Sequence, residues 1–230
     1  MSQQRIPISV EILADMETPL SVFKKLGNQP YSYLFESVEG GEKWARYSLI
    51  GLPASTVIKI FNNEIQIWED GKIIEELTSE DPLKFLEEYQ ENIKVKVNEE
   101  LPGFTGGLVG YLGYDCIRYI EPRLSQSNLP DPLGTPDALF MLSEEVAVFD
   151  NLNNKLHLIV LSKSESEADI STAKERLKEL SDKLLTPLTQ NNSEEIKSPV
   201  TEKDFVSGFG EEEFKESVEK IKNYIKAGDV

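Results

Sequence analysis

Apolar positions along the chain fall into two periods. Leu20, Phe23 and Leu26 repeat at helical spacing within ETPLSVFKKLGN, which predicts a short helix docked on the following strand. Thr18 stands where a cap belongs, Pro19 at the first helical position, and Gly27 where a left-handed stop would sit. Residues 56–61, 64–69 and 72–77 are rich in β-branched and aromatic side chains. The pairs Asn62-Asn63 and Asp70-Gly71 between them suit hairpin turns, so an antiparallel meander is expected. DPLKFLEEYQENI returns to helical spacing: Asp81 caps, Pro82 opens, and Leu83, Leu86, Tyr89 and Ile93 share a face. A glycine-rich strand is expected over 106–114 and an irregular loop over 123–137. ALFMLSEEVAVFD and KLHLIVLS then predict strands about a turn at Asn151–Asn154, and Ile170, Ala173, Leu177, Leu180 and Leu184 stripe a charged helix. From Thr186 to about Asp204 large apolar residues are few, as in a linker or exposed loop. Beyond it Phe214, Val218, Ile221 and Ile225 stripe a last helix with Gly228 as its stop. Together these elements predict an α+β fold: mostly antiparallel strands in a large twisted sheet, with helices packed on its outside.

Composition narrows what such a fold could do. A net charge of −17 argues against a general nucleic-acid binder, which needs clustered Lys and Arg, and disfavours adhesion to anionic membranes. Cys116 is the single cysteine, which excludes an internal disulfide and fits a reducing compartment. The first residues, MSQQRIPISVEILAD, lack the apolar core of a signal peptide, and no apolar run reaches the roughly 20 residues needed to span a bilayer. A cytoplasmic location is the expectation.

Familiar catalytic signatures are missing: no phosphate-binding P-loop, no GxGxxG at a strand–helix junction, no HExxH and no CxxC. His157, the one histidine, lies in the apolar KLHLIV run without a nucleophile or acid beside it in sequence, and reads as a packed or solvent-facing strand residue. In GGLVGYLGYDCIRYIEP, Gly106, Gly107, Gly110 and Gly113 interrupt a strand pattern. They suggest a bent, tightly packed strand, or close approach of another backbone or a ligand. Asp115, Arg118 and Glu121 could form an ion network there.

The stretch YLFESVEGGEKWARYSLIG poses a different question. It opens with Tyr33, Leu34 and Phe35, then places Glu36 and Ser37 before a Gly40-Gly41 turn. A strand emerging into a turn would do this, and so would the wall of a polar pocket. A regular strand would turn Glu36 and Ser37 to opposite faces. A hydroxyl that both donates and accepts, next to a carboxylate, suits a zwitterion whose ammonium needs acceptors and whose carboxylate needs donors.

LADMETPLSVFKKL, YLFESVEGGEKWARYSLIG, GGLVGYLGYDCIRYIE and LFMLSEEVAVFDNLNNKLHLIV, in this order, resemble the N-terminal half of anthranilate synthase component I. The closing FGEEEFKESVEKIKNYIKAGDV is similar to the family's passage into its chorismate-binding half. The resemblance implies three segments: an N-terminal domain over 1–186, a linker or exposed loop over 187–204, and the beginning of the catalytic domain over 205–230. It further implies a large subunit that converts chorismate to anthranilate with Mg²⁺ and with ammonia from a glutamine amidotransferase partner. L-tryptophan inhibits the family. Its catalytic groups and magnesium ligands lie in the C-terminal half, so the resemblance assigns no catalytic or metal residue here, and this stretch alone is expected to be inactive. Its tryptophan site takes one serine from the N-terminal half, which maps to Ser37, with Glu36 the adjacent candidate. Phe35 stands where the family often has leucine. Two other readings compete: aminodeoxychorismate synthase component I, which uses the same substrate, and a stand-alone amino-acid-binding regulatory module.

Overall fold

The computed structural model describes residues 4–36, 46–124, 131, 133–188 and 200–229. The chain divides into two compact units, Met1–Leu188 and Thr189–Val230. In the described residues of the first, ten strands form two five-stranded sheets, and every pairing of neighbouring strands is antiparallel. The α+β expectation is met, with the strands divided between two sheets.

The first sheet has the order β1-β10-β9-β3-β2: Ile6–Leu13, Lys155–Ser162, Glu145–Asp150, Tyr47–Gly51 and Tyr33–Phe35. The second has the order β6-β5-β4-β8-β7: Lys72–Thr78, Glu64–Glu69, Thr56–Phe61, Ala138–Ser143 and Gly107–Leu112. The expected meander is β4-β5-β6. Its turns carry Asn62, Asp70 and Gly71 at φ of 52°, 48° and 77°, the left-handed conformations that Asn, Asp and Gly tolerate best. The chain lays down β1 to β3, leaves for the second sheet, and returns for β9 and β10. The return takes one residue, Glu144, between β8 and β9.

Each sheet carries helices on one face. Against the first lies α4, Glu167–Leu184, whose Ala173, Leu177, Leu180 and Leu184 join Ile50, Phe149, Leu156 and Leu158 in the largest core. Ser166 caps that helix by accepting from the Asp169 amide at 3.1 Å. The opposite face buries Val146, Val148 and Ile159 with Tyr47, Leu49 and Phe104 against them. Burial on both faces is why β9 and β10 read as nearly continuous apolar runs. On the second sheet, α2, Pro82–Asn92, and the short α3, Ile117–Ile120, cover Ile58, Ile60, Ile65 and Ala138. Asp81 caps α2 as expected, accepting from the Lys84 amide at 3.0 Å.

Two local expectations change. The helix after Thr18 runs as α1, Pro19–Val22, and continues as a π-turn over Phe23–Gly27. Gly27 is not left-handed. A Cβ there would lie 2.9 Å from the Phe23 ring, so the glycine serves close packing. In the glycine-rich run, a Cβ at Gly110 would fall 1.9 Å from the Leu139 carbonyl oxygen, which makes the neighbouring strand the approaching backbone. Gly113 lies past the end of β7. Of the expected ion network, Arg118 meets Asp115 at 2.9 Å, whereas Glu121 faces Arg123 at 3.5 Å.

In the second unit, α5 covers Glu211–Ala227 and ends at Gly228, left-handed at φ 79°. The expected stop is therefore where the spacing put it. The centre of the expected loop, 125–130, and most of the expected linker, 189–199, lie outside the described residues.

Candidate functional site

Among the described residues, β2 is an edge strand of three residues, paired only with β3 through Tyr33↔Gly51, Leu34↔Ile50 and Phe35↔Leu49. Two contacts fix it. The Tyr33 ring lies directly over Gly51, where a Cβ would sit 1.9 Å from Cε1; only a glycine lets the ring lie down. The buried Tyr33 hydroxyl then reaches Ser143 Oγ at 2.9 Å, tying the edge of the first sheet to the last residue of β8. Burial pushes the Tyr33 phenol up to about 12, partly opposed by that hydrogen bond, so it stays neutral. Phe35 stacks on Tyr33 with centroids 4.9 Å apart and remains 53% exposed.

Glu36 follows immediately, exposed; Ser37 and the turn expected at Gly40-Gly41 lie outside the described residues. β2 ends at Phe35, so Glu36 lies just past the paired strand. The described part of the candidate site is thus an exposed aromatic face beside an exposed carboxylate.

The chain is described again from Arg46, one residue before β3, and there it is held firmly. Arg46 donates from Nη2 to Asp150 Oδ2 at 2.8 Å and from Nε to both carboxylate oxygens at 3.2 and 3.3 Å. Its guanidinium also lies 4.8 Å from the centre of the Tyr47 ring. The Asp150 side chain is 3% exposed. It further accepts from the Leu152 and Asn153 amides at 3.1 and 3.2 Å and from Asn153 Nδ2 at 2.9 Å. Burial alone would raise this carboxyl, but the Arg46 and Asn153 hydrogen bonds and the Arg46 charge outweigh it and hold it down to about 2. Asn151 donates its amide to the Arg46 carbonyl at 2.8 Å and its side chain to Ser48 Oγ at 3.2 Å.

A cavity of about 500 Å³ opens where the chain crosses between sheets, lined in part by Glu144, Glu145, Lys163, Asp169 and Arg176. Its charges largely satisfy one another. Arg176 grips Glu145 at 2.7 and 3.0 Å, the Asp169 carboxylate accepts from Ser164 Oγ, and Arg5 lies 3.1 Å from Glu144 Oε1, a buried atom that makes no hydrogen bond among the described residues. That leaves few free polar groups to orient a ligand, and the β2 end remains the better candidate.

His157 is a packed strand residue: its side chain is 13% exposed, and Nε2 lies 4.0 Å from Glu11. Among the described residues, no group of three or more His, Cys, Asp or Glu side chains converges as a metal-holding set, and no helix is long and apolar enough to cross a membrane. Sequence reasoning missed the Tyr33–Ser143 and Arg46–Asp150 ties, which join residues more than a hundred positions apart.

A family description of chorismate binding enzymes matches residues 32–230, and the chain belongs to that family. Anthranilate synthase component 1 of Pseudomonas putida is 47% identical over 226 residues, 98% of this chain and 46% of the relative. The protein of the same name from Acetivibrio thermocellus is 36% identical over 232 residues, again 98% of this chain and 46% of the relative. The chain spans about half the length of the curated relatives it matches. Among solved structures, anthranilate synthase component I from Streptococcus pneumoniae TIGR4 superposes with a TM-score of 0.58 at 27% identity, over 95% of this chain and 45% of that one.

Proposed function

We propose that this chain is the N-terminal half of an anthranilate synthase large subunit. In the complete enzyme, chorismate and ammonia become anthranilate and pyruvate, the first committed step towards tryptophan. A glutamine amidotransferase partner releases the ammonia, and the reaction takes place in the cytoplasm. The observation that carries this reading is the match to component 1 enzymes along 98% of the chain. Residues 1–186 are its N-terminal domain, 187–204 a link, and 205–230 the start of the chorismate-binding domain. The family resemblance puts the catalytic groups and magnesium ligands in the C-terminal half, so no metal-dependent or catalytic step is assigned to these residues.

The contribution of this half is regulatory. L-tryptophan binds at the end of β2, where Ser37 offers a hydroxyl to its carboxylate and Glu36 accepts from its ammonium. The exposed Phe35 face, stacked on Tyr33, supports this reading because it offers an apolar surface to an indole next to a charge. Inhibition requires tryptophan to favour one arrangement of the enzyme over another; a hundredfold preference corresponds to roughly 2.7 kcal/mol.

The test uses the complete enzyme with its amidotransferase, following anthranilate fluorescence. Ser37→Ala is expected to raise the tryptophan inhibition constant by about 10- to 100-fold, the loss of one hydrogen bond to a charged group, with turnover near normal. Absence of anthranilate from chorismate in the unmutated enzyme would defeat the functional reading. An unchanged inhibition constant in Ser37→Ala would defeat the site.

A further inference from the structure

We infer that Ile74 is an inserted residue that keeps the open edge of the second sheet from pairing with a second copy of this chain.

β6 ends the second sheet, and among the described residues β5 is its only strand partner. Its free side presents a row of unpaired amides and carbonyls, a template on which another extended chain can build. The edges of the first sheet are blunted in ordinary ways. β2 is three residues long; β1 carries Pro7, and Arg5 just before it pairs with Val95. β6 has seven residues, Lys72–Thr78, no proline, and two exposed isoleucines, Ile73 at 42% and Ile74 at 58%.

What β6 has instead is a β-bulge. Trp68 pairs with Ile73 and Ile67 with Glu75, so Ile74 stands opposite no residue of β5. Trp68 and Ile67 are neighbours on opposite faces, and so therefore are their partners Ile73 and Glu75. Ile74 is thus a pure insertion: without it, every other residue of β6 keeps its partner and its face. Glu76 would still accept from Gln66 Nε2, and Leu77 would still pack on the core of the second sheet. Packing does not account for Ile74, whose side chain stays more than half exposed. Its effect is on the ladder. An extra residue bends the strand and breaks the even row of edge groups that a partner strand needs.

A second copy is the partner excluded, because β6 is self-complementary once Ile74 is gone. In an antiparallel pair about a twofold axis at Ile73, that residue faces its own copy, and Lys72 faces Glu75 in both directions. With Ile74 present, the same axis sets Lys72 opposite Ile74, and both ion pairs are lost.

The experiment uses the complete enzyme and three variants: deletion of Ile74, the same deletion with Ile73→Lys, and Ile74→Gly. Sedimentation velocity from about 1 to 100 μM reads mass, with circular dichroism and Tm as the check on folding. Deletion of Ile74 is expected to raise the weight-average mass about twofold over the unmodified enzyme at the upper concentration. Ile74→Gly keeps the extra residue and should match the unmodified enzyme. Ile73→Lys in the deletion background sets like charges face to face and should abolish the increase. A folded deletion variant of unchanged mass overturns the inference. So does association that persists with Ile73→Lys, which places the contact elsewhere, or association of Ile74→Gly, which credits the side chain rather than the insertion. Should the deletion variant fail to fold, amide hydrogen exchange of the unmodified enzyme decides. An open edge leaves about half of the 72–78 amides exchanging at loop-like rates, whereas protection along the whole strand means a covered edge and overturns the inference.

Discussion

Gly51→Ala isolates the contact that seats β2. Gly51 has no positive φ, so alanine meets no backbone objection, and the loss of chain entropy in the unfolded state favours it by about 0.4–1 kcal/mol. Against that, the new methyl group would lie 1.9 Å from Tyr33 Cε1 and 2.3 Å from Cδ1 and Cζ, inside the ring. The ring must swing away. Overpacking of this kind costs about 1–3 kcal/mol. Moving the phenol also strands Ser143 Oγ, in a residue 1% exposed, for about 1–3 kcal/mol more. The net expectation is a loss of about 2–5 kcal/mol, or a fall in Tm of roughly 5–15 °C for a unit of this size. Urea and thermal denaturation of the 230-residue chain measure it. The decisive comparison is a double-mutant cycle with Tyr33→Ala, in which Gly51→Ala should cost under about 1 kcal/mol because no ring remains to displace. Equal costs in both backgrounds would refute the reasoning.

Two further outcomes follow from the same geometry. The Asp150 carboxyl is held near 2 against an ordinary 3.8, so its stabilisation is fully present above pH 3.8 and disappears as pH falls towards 2. At about 1.4 kcal/mol per unit this amounts to roughly 2 kcal/mol, and urea midpoints taken between pH 5 and 2 should fall less steeply in Asp150→Asn than in the native chain. In β7, Gly110→Ala drives a Cβ onto the Leu139 carbonyl, where backbone cannot yield, and should cost about 3 kcal/mol or more. Gly107→Ala meets open space and only the strain of its φ of 132°, about 1–3 kcal/mol. Denaturant titration that ranked Gly107→Ala as the costlier change would contradict this assignment.

The readable parts of the fold were those whose physics is local. Asn62 and Asp70-Gly71 fix their turns with their own conformational tolerance, and Asp81 with Pro82 opens α2 without help from distant residues. What could not be read depends on partners far along the chain. ALFMLSEEVAVFD looks like one apolar stretch, yet Ala138–Ser143 belongs to the second sheet and Glu145–Asp150 to the first. The only local trace is the polar Ser143-Glu144-Glu145 interruption, where Tyr33, Arg5 and Arg176 each hold one residue. Gly27 misled because a helix-ending glycine and a close-packing glycine look alike until Phe23 is seen against it. For the candidate site, the pattern located Glu36 at a strand end. The tie between Arg46 and Asp150 spans 104 positions and left no periodic signal.

The excursion to the second sheet also sets an order in time. Leu13 pairs with Lys155, 142 positions later, and all the strands of the second sheet lie between them. At roughly 5–20 residues per second of synthesis, β1 waits about 7–30 s on the ribosome for β10, while the β4-β5-β6 meander can zip as it emerges. The nascent β1, IPISVEIL, is an apolar strand without its ladder throughout that interval. Slower translation would lengthen its exposure, and a chaperone that grips short apolar segments has its best chance there.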